Sequence, residues 1–263
     1  MATSRGSVSV TLITVLHSEW IKFRTLASYP ITTFAVLALI VGMGLLETFS
    51  LVWAGNPPSR VGDLSPGQFL NGMQYAYVLL GVLAVVFMAS EYTQATMQPS
   101  LLATPKRLLV LAAKSLLMGM IGLGTGVLGS TIVLLVVPGI LSGQDLRLAD
   151  NSADIVRFIS GSGISLGLMA MLGVGLAALI RSLVAAFITV VSLLTVAPIA
   201  VSALPVEWVA KLMAYMPTVA GSQYLSSDAA TRIIEPWWGL VILAGWALAI
   251  LVAGSLVLRY RDA

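Results

Sequence analysis

A chain of 263 residues with 58% hydrophobic and only 10% charged residues is excluded from the ordinary soluble domains, which carry about 25% charged residues. Its net charge of +3 is too small to mark a nucleic-acid binder, no basic face is interleaved with aromatics, and the absence of cysteine removes disulfides, thiolate metal sites and thiol nucleophiles. The composition places the chain in a lipid bilayer.

Residues 1–28 lack the form of a signal peptide. Their apolar run from Val8 to Leu16 is broken by Thr11 and Thr14 and followed at once by HSEWIKFR, so the segment is expected to be retained. At helical spacing Val8, Leu12, Val15, Leu16, Phe23 and Leu26 share one face, which predicts an amphipathic interfacial helix along the inner leaflet, anchored by Trp20. Glu19 falls in the middle of that face. A lone carboxylate there must either pair with a cation, Lys22 lying three residues on, or meet another protein surface.

Six runs then have the length needed to cross a hydrocarbon core about 30 Å thick: 31–53, 69–89, 108–137, 158–180, 183–203 and 237–258. The expected fold is an all-α integral membrane protein, a single transmembrane domain over 1–263. The third run is long enough for Lys114 to sit or snorkel at the inner interface. Gly122-x-x-x-Gly126 in the third run and Gly163-x-x-x-Gly167 in the fourth predict a close crossing of those two helices. Pro198 is expected to kink the fifth, either as a simple bend or beside a cavity. Residues 204–234, interrupted by Pro205 and Pro217, have apolar runs too short to cross and are expected to form an external re-entrant or interfacial helical pair.

Orientation follows from lysine and arginine. With the N-terminus inside, the inner side holds Arg5, Lys22, Arg24, Lys106, Arg107, Lys114, Arg181, Arg259 and Arg261, nine residues, against Arg60, Arg147, Arg157, Lys211 and Arg232, five, outside. Both termini are therefore expected to be cytoplasmic, with Trp53, Trp208, Trp237 and Trp238 forming an outer aromatic belt.

Between the second and third runs lies the longest polar interruption assigned to the inner side, 90–107. It carries Glu91, Tyr92, Thr93, Thr96, Thr104, Pro105, Lys106 and Arg107, and Lys114 follows. The stretch resembles the first cytoplasmic loop of type-2 ABC exporter permeases, matching at Glu91, Thr96, Leu101, Thr104, Pro105, Arg107 and Lys114 and departing at Ala95, where the family usually has glycine. The helical pair before the last span is a further likeness, and SEWIKFRT, Ser18 to Thr25, looks most like actinobacterial members. The resemblance implies a permease subunit of a bacterial cytoplasmic membrane, paired with a second permease copy and driven by two copies of a separate ATPase. ATP and magnesium are expected on that partner, and no cofactor on this chain. It also implies an ATPase-coupling surface at Glu91, Tyr92, Thr93, Thr96, Thr104 and Arg107, with Glu19 beside it. The second and fifth spans would face each other across the cargo route. There Asn71, Gln74 and Tyr75, with Thr189, Ser192, Thr195 and Pro198, either meet cargo or act as polar glue between helices.

Other chemistries lack their machinery. GTGVLG, Gly124 to Gly129, fits a dinucleotide fingerprint only as a string, since it lies within a span. GISLG, Gly163 to Gly167, fits a nucleophile elbow, but the single histidine, His17, belongs to the N-terminal helix, which argues against an intramembrane hydrolase. Lys114, followed by Ser115, lacks the Walker A glycines. An ion-coupled secondary transporter would place ionisable groups near the bilayer centre, whereas here they fall at the edges. Asp145, Asp150 and Asp154 fit no calcium loop and read as a solvated connection.

Overall fold

A computed structural model describes residues 11–53, 64–93, 107–142, 152–203, 207–225 and 234–260. Among these the chain is helical with no strand. In order come α1 (Leu12–Thr25), α2 (Ser28–Trp53), a 3₁₀ turn (Pro66–Leu70) leading into α3 (Gly72–Thr93), α4 (Arg107–Ser142) and α5 (Ser152–Ile180). The broken helix α6 (Leu183–Ser202) follows, then α7 (Glu207–Met213), α8 (Pro217–Ser222) and α9 (Pro236–Tyr260). Six helices are long and apolar enough to cross a membrane, and they define a multi-pass membrane protein.

The helix α5 is the centre of the bundle. It packs on α4, α9 and α3 and buries 72% of its apolar window, whereas α2 and α6 bury 22% of theirs. Lipid is as apolar as leucine, so close packing rather than water exclusion must hold such helices together, and small residues provide it. The predicted crossing of α4 and α5 is present. A Cβ on Gly122 would stand 2.7 Å from the Leu166 carbonyl oxygen, and one on Gly126 would run into the carbonyl of Ser162. From the other helix, a Cβ on Gly167 would stand 2.8 Å from the Gly119 oxygen. Between α5 and α6 the chain turns in two residues. Arg181 takes the left-handed conformation at φ 59, and Ser182 caps α6 by accepting from the Ala185 N–H at 3.4 Å.

Several helix ends differ from those the sequence predicts. The second span, α3, continues through Glu91, Tyr92 and Thr93, which the sequence places in the loop; no proline or glycine stands among them to stop the helix. Arg107 opens α4 rather than closing the loop, and α4 runs through Pro138 to Ser142. The fourth span begins at Ser152, so Asp154 is not in a loop but in the first helical turn, where a negative charge complements the helix dipole and pairs with Arg157 at 3.0 Å. Thr96 and Thr104, and also Asp145 and Asp150, lie outside the described residues. The described part of 204–234 does form a helical pair, α7 and α8, the latter continued by a 3₁₀ turn (Gln223–Leu225).

On α1, Val15, Glu19 and Phe23 are buried and α1 packs on α4, so the middle of the expected amphipathic face meets the bundle. Leu12 and Leu26, assigned to the same face, are exposed, as are Ile13, Trp20 and Ile21.

Candidate functional site

Two places concentrate the polar side chains of this apolar fold. The first is where α1 meets the bundle. Glu19, 2% exposed, accepts from Lys22 Nζ at 2.6 Å and from Lys114 Nζ at 2.6 Å. Lys114 does not snorkel, because it is 1% exposed and lies 4.3 Å from the centre of the Phe87 ring. Its surroundings are aromatic. Phe23 stacks on Tyr29 at 5.7 Å, and Phe87 meets both edge-on, at 6.0 Å from Phe23 and 5.2 Å from Tyr29. A buried ion pair is tolerated when each charge finds its counter-charge, and an adjacent ring face adds to the cation's stabilisation. Of the two roles open to Glu19, the geometry provides the intramolecular pair. Tyr29 Oη and Ser90 Oγ lie 3.3 Å apart, which ties the start of α2 to the last turns of α3, one residue before Glu91.

The second place lies between α3, α6 and α8. Residues Ser192–Val196 form a π turn, in which the Ala197 N–H reaches back five residues to the Ser192 carbonyl. Pro198 follows in the first turn of the continuing helix, Ala197–Ser202. Proline has no N–H, so the carbonyl four residues earlier, that of Leu194, loses its ordinary donor. Thr218 of α8 replaces it, its hydroxyl donating to the Leu194 oxygen at 2.8 Å. Beside this break a groove of about 420 Å³ opens, lined by Gln74 and Tyr75 of α3, by Thr195 and Pro198 of α6 and by Thr218 of α8. Four residues predicted to face the cargo route, Gln74, Tyr75, Thr195 and Pro198, are thus brought together. The other three do not line it. Asn71 is exposed where the 3₁₀ turn joins α3, the Thr189 hydroxyl donates to its own helix at the Ala185 carbonyl, 2.8 Å away, and Ser192 opens the π turn.

A buried hydroxyl network fixes α8 to the core. Tyr77 Oη donates either to Ser165 Oγ at 3.0 Å or to the Gly221 carbonyl at 2.9 Å, and Tyr224 Oη donates to Ser162 Oγ at 3.0 Å. Burial pushes the Tyr224 phenol above its ordinary 10.0, which keeps it a donor. Ser165, the residue of the elbow-like string, is buried in this network and donates to its own helix at the Ser162 carbonyl, 3.1 Å away, while His17 sits exposed on α1. Gly124 to Gly129 are helical throughout within α4. Among the described residues, no cluster of histidine and carboxylate side chains is fit to hold a metal.

Sequence reasoning missed Lys114 as the partner of Glu19, and it missed Thr218 and the paired tyrosines. For Lys114 a signal existed: a lone acid on one apolar face and a lone base in another apolar run each need an opposite charge. For Thr218 the signal was the carbonyl that Pro198 must orphan, though nothing local says which hydroxyl reaches it. No family model matches this chain, and no curated protein matches it. The class defined by fold and site is accordingly that of a membrane protein with six helices fit to span a bilayer, one of them broken beside a polar-lined groove.

Proposed function

We propose that this chain is the membrane-spanning subunit of an ATP-driven exporter in a bacterial cytoplasmic membrane, working as a pair and coupled to a separate ATPase. The observation that carries the reading is the groove at the π turn of α6. Membrane helices break their hydrogen-bond ladder only where protein or a cavity takes up the freed groups, and here the break is lined by side chains from two spans and a non-spanning segment. Gln74, Tyr75, Thr195 and Pro198 form the cargo-contacting wall in this reading.

The coupling surface is the end of the molecule bearing Glu91, Tyr92, Thr93 and Arg107, together with Thr96 and Thr104. Its root is rigid: Ser90 contacts Tyr29, and the Glu19 and Lys114 pair fixes α1 to α4. Phe87 of α3 also meets Phe23 of α1 edge-on, so a push on the last turn of α3 would move α1 and α2 with it, as a rigid-body coupling requires. Glu19 serves this surface from beneath. Both termini are placed on the cytoplasmic side by the charge bias, and α7 and α8 form the re-entrant pair on the other.

The test is purification of the tagged chain, with and without the subunits that accompany it in its native membrane, followed by reconstitution in vesicles. Nucleotide hydrolysis confined to the complex, and vesicle transport that needs nucleotide and not an ion gradient, is expected. Transport by the chain alone under a proton or sodium gradient would instead establish an ion-coupled carrier.

A further inference from the structure

The groove between α3, α6 and α8 indicates the chemical class of its occupant, an inference that rests on the reading of this groove as the cargo wall. Its volume, about 420 Å³, falls within the range of about 300–1,000 Å³ typical of sites for small organic ligands. Among the described residues, none of the side chains lining it is charged. A bare charge entering such a place would exchange its hydration for apolar walls and neutral dipoles, which disfavours it strongly.

The polar groups that remain are specific. Thr218 is committed to the Leu194 carbonyl. The hydroxyls of Ser202 and Ser222 donate to their own helices, to the Ile199 carbonyl at 2.7 Å and the Val219 carbonyl at 3.0 Å, so they present only acceptor lone pairs outward. Gln74, Tyr75 and Thr195 line the groove, and among the described residues their side chains make no hydrogen bond, which leaves their donors to a visitor. Tyr75 is 57% exposed and also offers a ring face. We infer that the groove binds an uncharged, largely apolar small molecule that carries hydrogen-bond acceptors, held by Gln74, Tyr75 and Thr195, and that it discriminates against both cations and anions.

Photolabelling of the chain alone, in phosphatidylcholine vesicles without nucleotide or partner, tests this. The probes are three benzophenones of similar size: one bearing a neutral hydroxymethyl group, one a carboxylate and one a trimethylammonium. Labelled peptides are mapped by mass spectrometry, normalised to labelling of the lipid-facing residues of α2. The neutral probe is expected to enrich peptides containing Gln74 and Thr195, with enrichment lowered about five-fold by Gln74→Leu with Thr195→Val, the loss of roughly one net hydrogen bond, and with labelling of α2 unchanged. Both side chains lie at the groove surface, so the exchange leaves the core intact. Equal enrichment by a charged probe, or enrichment indifferent to the substitutions, overturns the inference. Labelling no denser in the groove than on α2 does so as well, since it marks partition into lipid only. No ATPase takes part, so these outcomes are independent of the nucleotide test of the exporter reading.

Discussion

Thr218 donates its hydroxyl to the backbone carbonyl of Leu194 at 2.8 Å, the acceptor that Pro198 leaves without its usual helical donor. One side chain of a non-spanning helix therefore completes the hydrogen bonding of a spanning one. Replacing it with the isosteric valine should leave a buried carbonyl unsatisfied and destabilise the protein by about 1–2 kcal/mol, whereas Thr218→Ser should retain most of the stability. Thermal unfolding of the purified protein reads both. Pro198→Ala restores an N–H, so Thr218→Val should cost less in that background. Strict additivity in the double-mutant cycle would show that the proline and the threonine do not share the Leu194 carbonyl.

The Glu19 site gives a second expectation. Glu19→Gln removes the buried carboxylate that both lysines meet and should be the most destabilising change, approaching the roughly 3–5 kcal/mol of a broken buried pair, whereas Lys114→Met should cost less, because Lys22 still meets Glu19. Combining the two should recover a large part of the loss. Lys22 is the internal comparison: its side chain is 42% exposed, and Lys22→Met should cost less than about 1 kcal/mol. Denaturant titration of the four variants measures this. A double variant as unstable as the sum of the singles would mean that Glu19 and Lys114 are held by other groups.

The six spans were legible because hydrocarbon thickness imposes a run length that few other constraints mimic. The crossing of α4 and α5 was legible too, since glycine at four-residue spacing has few other uses in lipid. Helix ends were harder to place: Glu91, Tyr92 and Thr93 carry no stop signal, and their polarity marks where lipid ends, not where the helix does. The pairing of Glu19 with Lys114 joins residues 95 apart in sequence, and each side chain announces a need without naming its partner. In the same way Pro198 reveals a missing donor, but the π turn that absorbs it and the threonine that repairs it depend on how α8 packs. On α1 the apolar stripe alone does not say which of its residues pack on protein, because such a stripe fits protein and bilayer equally well.

Glycines of a single helix should respond in opposite ways to the same substitution. A Cβ on Gly126 runs into the Ser162 carbonyl, whereas at Gly124 nothing lies within 4 Å. Gly126→Ala should therefore separate α4 from α5 and cost about 1–3 kcal/mol as overpacking. Gly124→Ala should be neutral or stabilising by up to about 1 kcal/mol, the helix-propensity difference. Melting temperatures of the two variants decide it, and equal effects would mean that the two helices do not cross at Gly126.

The last expectation concerns the paired state that the exporter reading requires, in which α3 and α6 of two copies face each other. The surface permits it: Tyr75 of α3, which lines the groove, is 57% exposed, and Val196 of α6, next in sequence to the lining residue Thr195, is 54% exposed. The chain has no cysteine, so Tyr75→Cys and Val196→Cys introduce single thiols without background. A disulfide forms only when the Cα atoms approach within about 7 Å. Comparison positions on other exposed faces are available in Ile31→Cys of α2, at 65%, and Leu248→Cys of α9, at 59%. In native membranes at least one of the first two variants should form an intermolecular disulfide with mild oxidant, with a yield that changes when nucleotide is added, as the exporter reading requires of helices coupled to an ATPase. The comparison thiols should remain monomeric. Cross-linking through Ile31 or Leu248 alone would put the pairing surface elsewhere on the bundle, and the assignment of Gln74, Tyr75, Thr195 and Pro198 to a shared cargo route would fall with it.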